Sequence, residues 1–129
     1  MTTFAVIPDL DAVLITFLDT HADLTPLHGG RVGTSLPAGG LTSIRIANLG
    51  GAMPWPWMCR AEFQIECWGG TEIQALTLAR TVCAAIYELP ATNDSILWAV
   101  VTLAPFASPD LVSNRFRYIC QVEFEAATP

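Results

Sequence analysis

The chain has 129 residues, 52% of them hydrophobic and 14% charged, with a formal net charge of −6. That is one domain of ordinary size with enough apolar material for a core, and far too apolar for disorder. Its 12 acidic residues stand against six arginines and no lysine, which excludes docking on a phosphate backbone, where affinity comes from clustered Lys and Arg.

The opening "MTTFAVIPDLD" lacks a basic stretch ahead of its apolar residues, so no secretory signal is expected. The apolar runs elsewhere fall well short of the roughly 20 residues a membrane helix needs, so a soluble protein without membrane contact is expected. Asp9 caps a first predicted helix, with Pro8 before it. In "DLDAVLITFLDT", Leu10, Val13, Leu14, Phe17 and Leu18 then share one stripe at helical spacing.

"TPLHGGRVGTSLPAGG" follows, and its paired glycines and two prolines bracket a short extended piece from Arg31 to Leu36. "LTSIRIANLG" reads as a strand with Ile44 and Ile46 on one face and Ser43 and Arg45 on the other. "GGAMPWPWMC" alternates Pro54 and Pro56 with Trp55 and Trp57, a segment expected to be a loop rather than an inner strand. Two readings stand for it: indoles folded back over the sheet edge, or an aromatic anchor presented to a partner.

"RAEFQIECW" alternates cleanly. Ala61, Phe63, Ile65 and Cys67 point one way, and Arg60, Glu62, Gln64 and Glu66 the other, the pattern of a half-buried antiparallel strand. The glycines at 69 and 70 then lead into a helix, as phosphate-binding loops do. Neither GxxxxGK[ST] nor GxGxxG is present, however, and there is no lysine to serve the first of them. Thr71 with Gln74 three residues on is instead a capping box. The helix it opens carries Leu76, Ala79, Cys83 and Ile86 as a packing face, flanked by Ile73, Ala75, Val82 and Leu89.

An Asn93–Asp94 turn signal precedes the β-rich run "SILWAVVTLAPF". The last strand, "RFRYICQVEFEA", sets Phe116, Tyr118, Cys120, Val122 and Phe124 against Arg115, Arg117, Gln121, Glu123 and Glu125. The order of elements predicts a single α+β domain: a mainly antiparallel sheet with two helices packed on one face. The uncovered face is either solvated or a docking surface. If the two alternating strands are neighbours, Arg115 and Arg117 oppose Glu62 and Glu66 across the ladder.

No catalytic constellation emerges. Cys59, Cys67, Cys83 and Cys120 form no CxxC pair and show no metal-ligand spacing with His21 and His28; the last three fall on apolar phases as reduced core thiols. One core cluster is expected from Phe63, Ile65, Leu76, Ile86, Val122 and Phe124.

Taken together, "RVGTSLP", the glycine pair of "IANLGG", "FQIECWGGTEIQALTLARTVCAAIYEL" and "RFRYICQVEFEA" resemble the tail terminator (tail completion) proteins of long, flexible-tailed, siphovirus-type bacteriophages, particularly those of actinobacterial hosts. The resemblance covers nearly the whole chain, most specifically from Phe63 to Leu89. It implies a virion subunit without catalytic residues or cofactors, sited at the neck of the tail. Such subunits form a ring, expected to be a hexamer, on the last ring of the tail tube protein. The ring stops polymerisation and offers a surface to head–tail connector proteins, while DNA passes through the lumen without specific binding. An acidic subunit suits that passage, because a negative lumen repels the duplex. Trp55, Trp57, Arg60, Glu62, Gln64, Glu66, Arg115, Arg117 and Glu123 are the candidate subunit or partner contacts, chosen from polarity and expected exposure. Two alternatives remain open: another neck component, such as a connector or stopper, or a small cytosolic α+β enzyme or ligand-binding domain using Cys or His.

Overall fold

The structure, a computed structural model, describes residues 6–35 and 42–128; of the extended piece expected from Arg31 to Leu36, the last residue lies outside them. In chain order the elements are helices α1 (Leu10–Thr20) and α2 (Thr25–His28), strands β1 (Val32–Gly33), β2 (Ser43–Trp55) and β3 (Met58–Gly69), helices α3 (Glu72–Ile86) and α4 (Leu89–Thr92), and strands β4 (Ile96–Ala107) and β5 (Phe116–Ala127). They build one α+β domain. The sheet runs β1-β2-β3-β5-β4, with β1 parallel to β2 and every other pair antiparallel.

Both long helices start where their caps place them. The Asp9 carboxylate accepts from the Ala12 N–H at 3.2 Å. Thr71 and Gln74 close the capping box at the head of α3, which satisfies N–H groups that the first turn leaves without partners. The expected two helices are joined by two four-residue turns, each with a proline in its first turn.

The core lies between the sheet and α1 and α3. Leu14 and Leu18 of α1 meet Ile44 and Ile46 of β2, Phe63 and Ile65 of β3, and Val122 and Phe124 of β5 in one cluster. The face of α3 is rotated from its expected position. Ala75, Leu78, Ala79, Val82, Ala85 and Ile86 are buried, whereas Leu76 lies at the rim and Ile73 in solvent. The small residues among the six let the helix approach β3, β5 and β4, which all contact it, and Leu78 fills the centre that Leu76 was expected to occupy.

The expected loop around Trp55 is instead the end of a long hairpin. β2 runs through Pro54 to Trp55, and β3 resumes at Met58. Pro54 is tolerated because β1 pairs with β2 only at Ile44 and Arg45, so beyond them β2 is an edge strand that loses no ladder bond to a missing N–H. The glycine pair of "IANLGG" sits inside this strand at a bulge. Gly51, with φ of 154°, passes so close to β3 that a Cβ would lie 1.8 Å from the Arg60 carbonyl oxygen.

Candidate interaction surface

All helices pack on one side of the sheet, and the other side is left to the polar phase of the strands. β3 and β5 are neighbours, but their register differs from the expected opposition of arginine and glutamate. Arg60 stands opposite Glu125, Glu62 opposite Glu123, Gln64 opposite Gln121, Glu66 opposite Ile119 and Trp68 opposite Arg117. Arg115 precedes β5 and bridges to Asp110. The ladder therefore sets two glutamates face to face, an arrangement that is unfavourable alone. Arg60 relieves it by reaching Glu123 at 3.3 Å and Glu125 at 3.7 Å.

The face is also drier than its polar pattern suggests at one end. Glu66 is only 4% exposed and Trp68 only 3%. Arg45 of β2 donates to Glu66 at 2.6 Å, and Arg117 lies 3.8 Å from its other carboxylate oxygen. The guanidinium carbons of Arg115 and Arg117 sit 4.9 and 5.1 Å from the Trp68 ring centre, within cation–π range. Arg117 is fixed further by donating to the Ser108 carbonyl at 2.8 Å. At the opposite end the Trp98 indole donates to Glu125 at 2.8 Å, and Arg60 lies 5.8 Å over the Trp98 ring. Among the described residues, then, the charges on this face are largely paired within the chain.

Sequence reasoning put Arg45 and Glu125 on the polar phases of their strands without counting them among the contacts, and it missed Trp68 and Trp98 as members of this surface. Strict alternation was the available signal, since Trp68 continues the phase of Glu62, Gln64 and Glu66. The row from β4 was missed as well. Val100 and Leu103 stand opposite Glu123 and Gln121, and Phe106 opposite Ile119, so three apolar side chains share the polar face, with Leu103 40% and Phe106 43% exposed. Register shifts along β4 break the alternation that would have revealed them.

Two tips project from opposite ends of the sheet. At the hairpin end, Trp55 and Trp57 stack with ring centres 5.6 Å apart, and both are about half exposed. Their indoles are presented to solvent and do not fold back over the sheet edge. At the other end, the loop between β4 and β5 exposes Leu111 by 90% and Val112 by 97%. Asp110 shapes that loop: one carboxylate oxygen accepts from the Val112 N–H at 3.2 Å and the other from the Ser113 hydroxyl at 2.6 Å. These two bonds hold its carboxyl below the usual carboxylate range.

The histidines and cysteines do structural work. His28 is buried; its Nε2 donates to the Leu18 carbonyl at 2.8 Å and its Nδ1 accepts from the Gly30 N–H at 2.9 Å. His21 pairs with Glu88, tying the end of α1 to the residue before α4. All four thiols are free, with Cys67 and Cys120 buried and Cys59 and Cys83 half-buried. Burial, reinforced by the nearby Cys83 and Glu66, pushes the Cys67 thiol up. A hydrogen bond shared by Cys83 and Cys120 lowers the first and, with burial, raises the second. No group of three or more His, Cys, Asp or Glu side chains that could hold a metal ion occurs among the described residues, and no helix among them is long and apolar enough to cross a membrane.

No protein-family model matches the chain, and no curated protein matches it in sequence. Its fold is shared with a known particle component. Among solved structures, a chain from the virion of a native gene transfer agent particle superposes with a TM-score of 0.70 over 92% of this chain and 95% of the other, at 15% identity. The likeness therefore extends from end to end of both chains and is one of architecture.

Proposed function

We infer that this protein is a virion structural subunit that caps the end of a bacteriophage tail tube as a ring, expected to be hexameric. The observation that carries the virion role is the end-to-end likeness to a chain of the gene transfer agent virion. The position at the tube end rests on the resemblance in motif order to tail terminators. In this reading the ring stops tube growth and presents a surface to the head–tail connector proteins, and DNA passes its lumen without specific contacts. The tail tube protein and further copies of the chain are the other partners, and no catalytic step or cofactor is involved.

The two tips suit a ring. A head-to-tail ring needs two different patches on each subunit, and the stacked tryptophans and the Leu111–Val112 loop lie at opposite ends of one sheet. Arg115 and Arg117 are engaged with Trp68 and Glu66 inside the chain, so the exposed tips are the stronger assignment for contacts between subunits or with the tube.

The test is genetic. Stop codons in this gene should yield filled heads without tails, beside free tails of uncontrolled length. Tails of normal length would refute the capping role, and heads that fail to package DNA would point to a connector or stopper in its place.

A further inference from the structure

Three of the four cysteines come together beneath α3. Cys67 of β3 and Cys120 of β5 are fully buried on the helix side of the sheet, and Cys83 of α3 packs against the same cluster. In the β3–β5 ladder Cys120 stands opposite Ile65 and Cys67 opposite Tyr118, so these two thiols are diagonal neighbours. Residues in that relation on adjacent strands lie about 7–8 Å apart, at or beyond the roughly 7 Å between Cα atoms that a disulfide spans. The pair of Cys83 and Cys120 is different. The Cys120 thiol donates a hydrogen bond to the Cys83 sulfur, so the two sulfurs already face each other where α3 packs on β5.

The two thiols are also unequal in the way that oxidation requires. Cys83 is half-buried and Cys120 fully buried, so a small oxidant reaches Cys83 first. The hydrogen bond from Cys120 lowers Cys83, whereas that bond and burial raise Cys120. Cys83 therefore carries the thiolate, which is the nucleophilic form, and Cys120 keeps its proton beside it.

We propose that Cys83 and Cys120 are a modification site for peroxide, which joins them in a disulfide that clamps α3 to β5. The Cys83 thiolate attacks one peroxide oxygen, the O–O bond breaks, and Cys83 becomes a sulfenic acid. The hydroxide that leaves takes up the proton Cys83 had given up. The Cys120 sulfur then attacks the Cys83 sulfur and the S–O bond breaks, the hydroxyl leaving as water with the Cys120 proton. Two thiols thus lose two electrons and two protons, and one peroxide becomes two waters. The bond alters neither hydrophobic tip nor the outer sheet face, because both sulfurs lie on the helix side. A chain made in a reducing cell and later carried outside it meets the conditions for such a bond. A virion subunit makes that passage, so the site fits the proposed role without depending on it.

The native full-length protein is treated with a small molar excess of hydrogen peroxide, then unfolded for a thiol count. The count is expected to fall from four to two, with Cys59 and Cys67 left free, and a peptide map should show Cys83 joined to Cys120. The bond closes a loop of close to 40 residues in the unfolded chain, so the melting temperature should rise by roughly 10 °C and fall back on reduction with dithiothreitol. Cys83→Ala, a change at a half-buried position, should keep its remaining thiols through the same treatment and show no rise. Four thiols after treatment, sulfinic or sulfonic acid at Cys83 beside a free Cys120, or a bridge from Cys83 to Cys67 or to a second chain would overturn the proposal. A Cys83–Cys120 bond that left the melting temperature unchanged would refute the clamp. Each of these results leaves the capping role standing, because that role is judged from the tails made without the gene.

Discussion

Replacing Phe63 by alanine probes the packing on which both faces of the sheet depend. The ring is fully buried and lies parallel to Phe124 with centres 5.4 Å apart. It stands beside Val122 in the ladder at the centre of the cluster that joins β3 and β5 to the helices. Removal costs the transfer free energy of the ring and leaves a cavity, about 3–5 kcal/mol for Phe→Ala in a core. The lost aromatic pair, worth about 0.5–1.5 kcal/mol, places the expectation near the middle of that range, about 4 kcal/mol. With an unfolding entropy of about 2.1 cal/mol/K per residue, this lowers the melting temperature by roughly 15 °C. Urea unfolding of wild type and variant, read by tryptophan fluorescence and by circular dichroism, measures the difference. Because about 4 kcal/mol is a large part of a typical domain's 5–15 kcal/mol, Phe63→Leu serves as a milder companion expected to cost about 1–2 kcal/mol. A loss below about 1 kcal/mol for the alanine variant would show that Phe63 does not sit where β3, β5 and the helices meet.

Two further outcomes follow from the geometry. In a thiol titration of the native protein, Cys83 should react first, since it is half-buried and its hydrogen bond with Cys120 favours the thiolate; modification of Cys67 or Cys120 ahead of it would contradict the core assignment. Gly51→Ala should destabilise by about 2 kcal/mol or more in a thermal melt, because its Cβ would enter the Arg60 carbonyl oxygen in a backbone conformation that disfavours side chains; a neutral effect would mean that the hairpin does not cross β3 at that distance.

Much of the fold was legible because period and cap signals are local. The alternation of β3 and β5, the stripe of α1 and the Thr71–Gln74 box each appear within a dozen residues. What was illegible depends on pairing at a distance. The register that sets Glu62 against Glu123 is fixed by the whole β3–β5 ladder, and no short stretch encodes it. Pro54 read as a strand breaker because it has no N–H to donate, yet it is tolerated because a two-residue β1, its neighbour on the far side, ends before reaching it. The true face of α3 centres on Leu78 and Val82 rather than Leu76, a turn of about 80° at helical pitch that keeps Ala79 and Ile86 in the core, on a helix apolar over much of its surface, where periodicity discriminates weakly. Trp68 of the outer face was legible by phase, yet its partners Arg115 and Arg117 come from a stretch more than 40 residues further along the chain.

The buried Glu66 shows why that arrangement is more than decoration of a wet surface. A carboxylate that is nearly dry is costly unless paired, and here Arg45 from β2 and Arg117 from β5 reach it from the strands on either side. Removing one-sided pairing with exposed charges would change stability little, but this carboxylate is held between two neighbours in one sheet. A slip of β3 by one residue against either strand would turn Glu66 toward Ile44 and Ile46 in the core and carry Phe63 and Ile65 out to solvent, because side chains alternate with a period of two. The same slip would take Trp68 from between the arginines. The cluster therefore ties three strands to one register at the end of the sheet where α3 begins. Alternation of apolar side chains ties them at the centre through Phe63, Val122 and Phe124. With the register fixed at both places, Glu66 stays between Arg45 and Arg117 at one end of the outer face and Arg60 stays against Glu123 and Glu125 at the other, so the pairing of charge on that face follows from the fold itself.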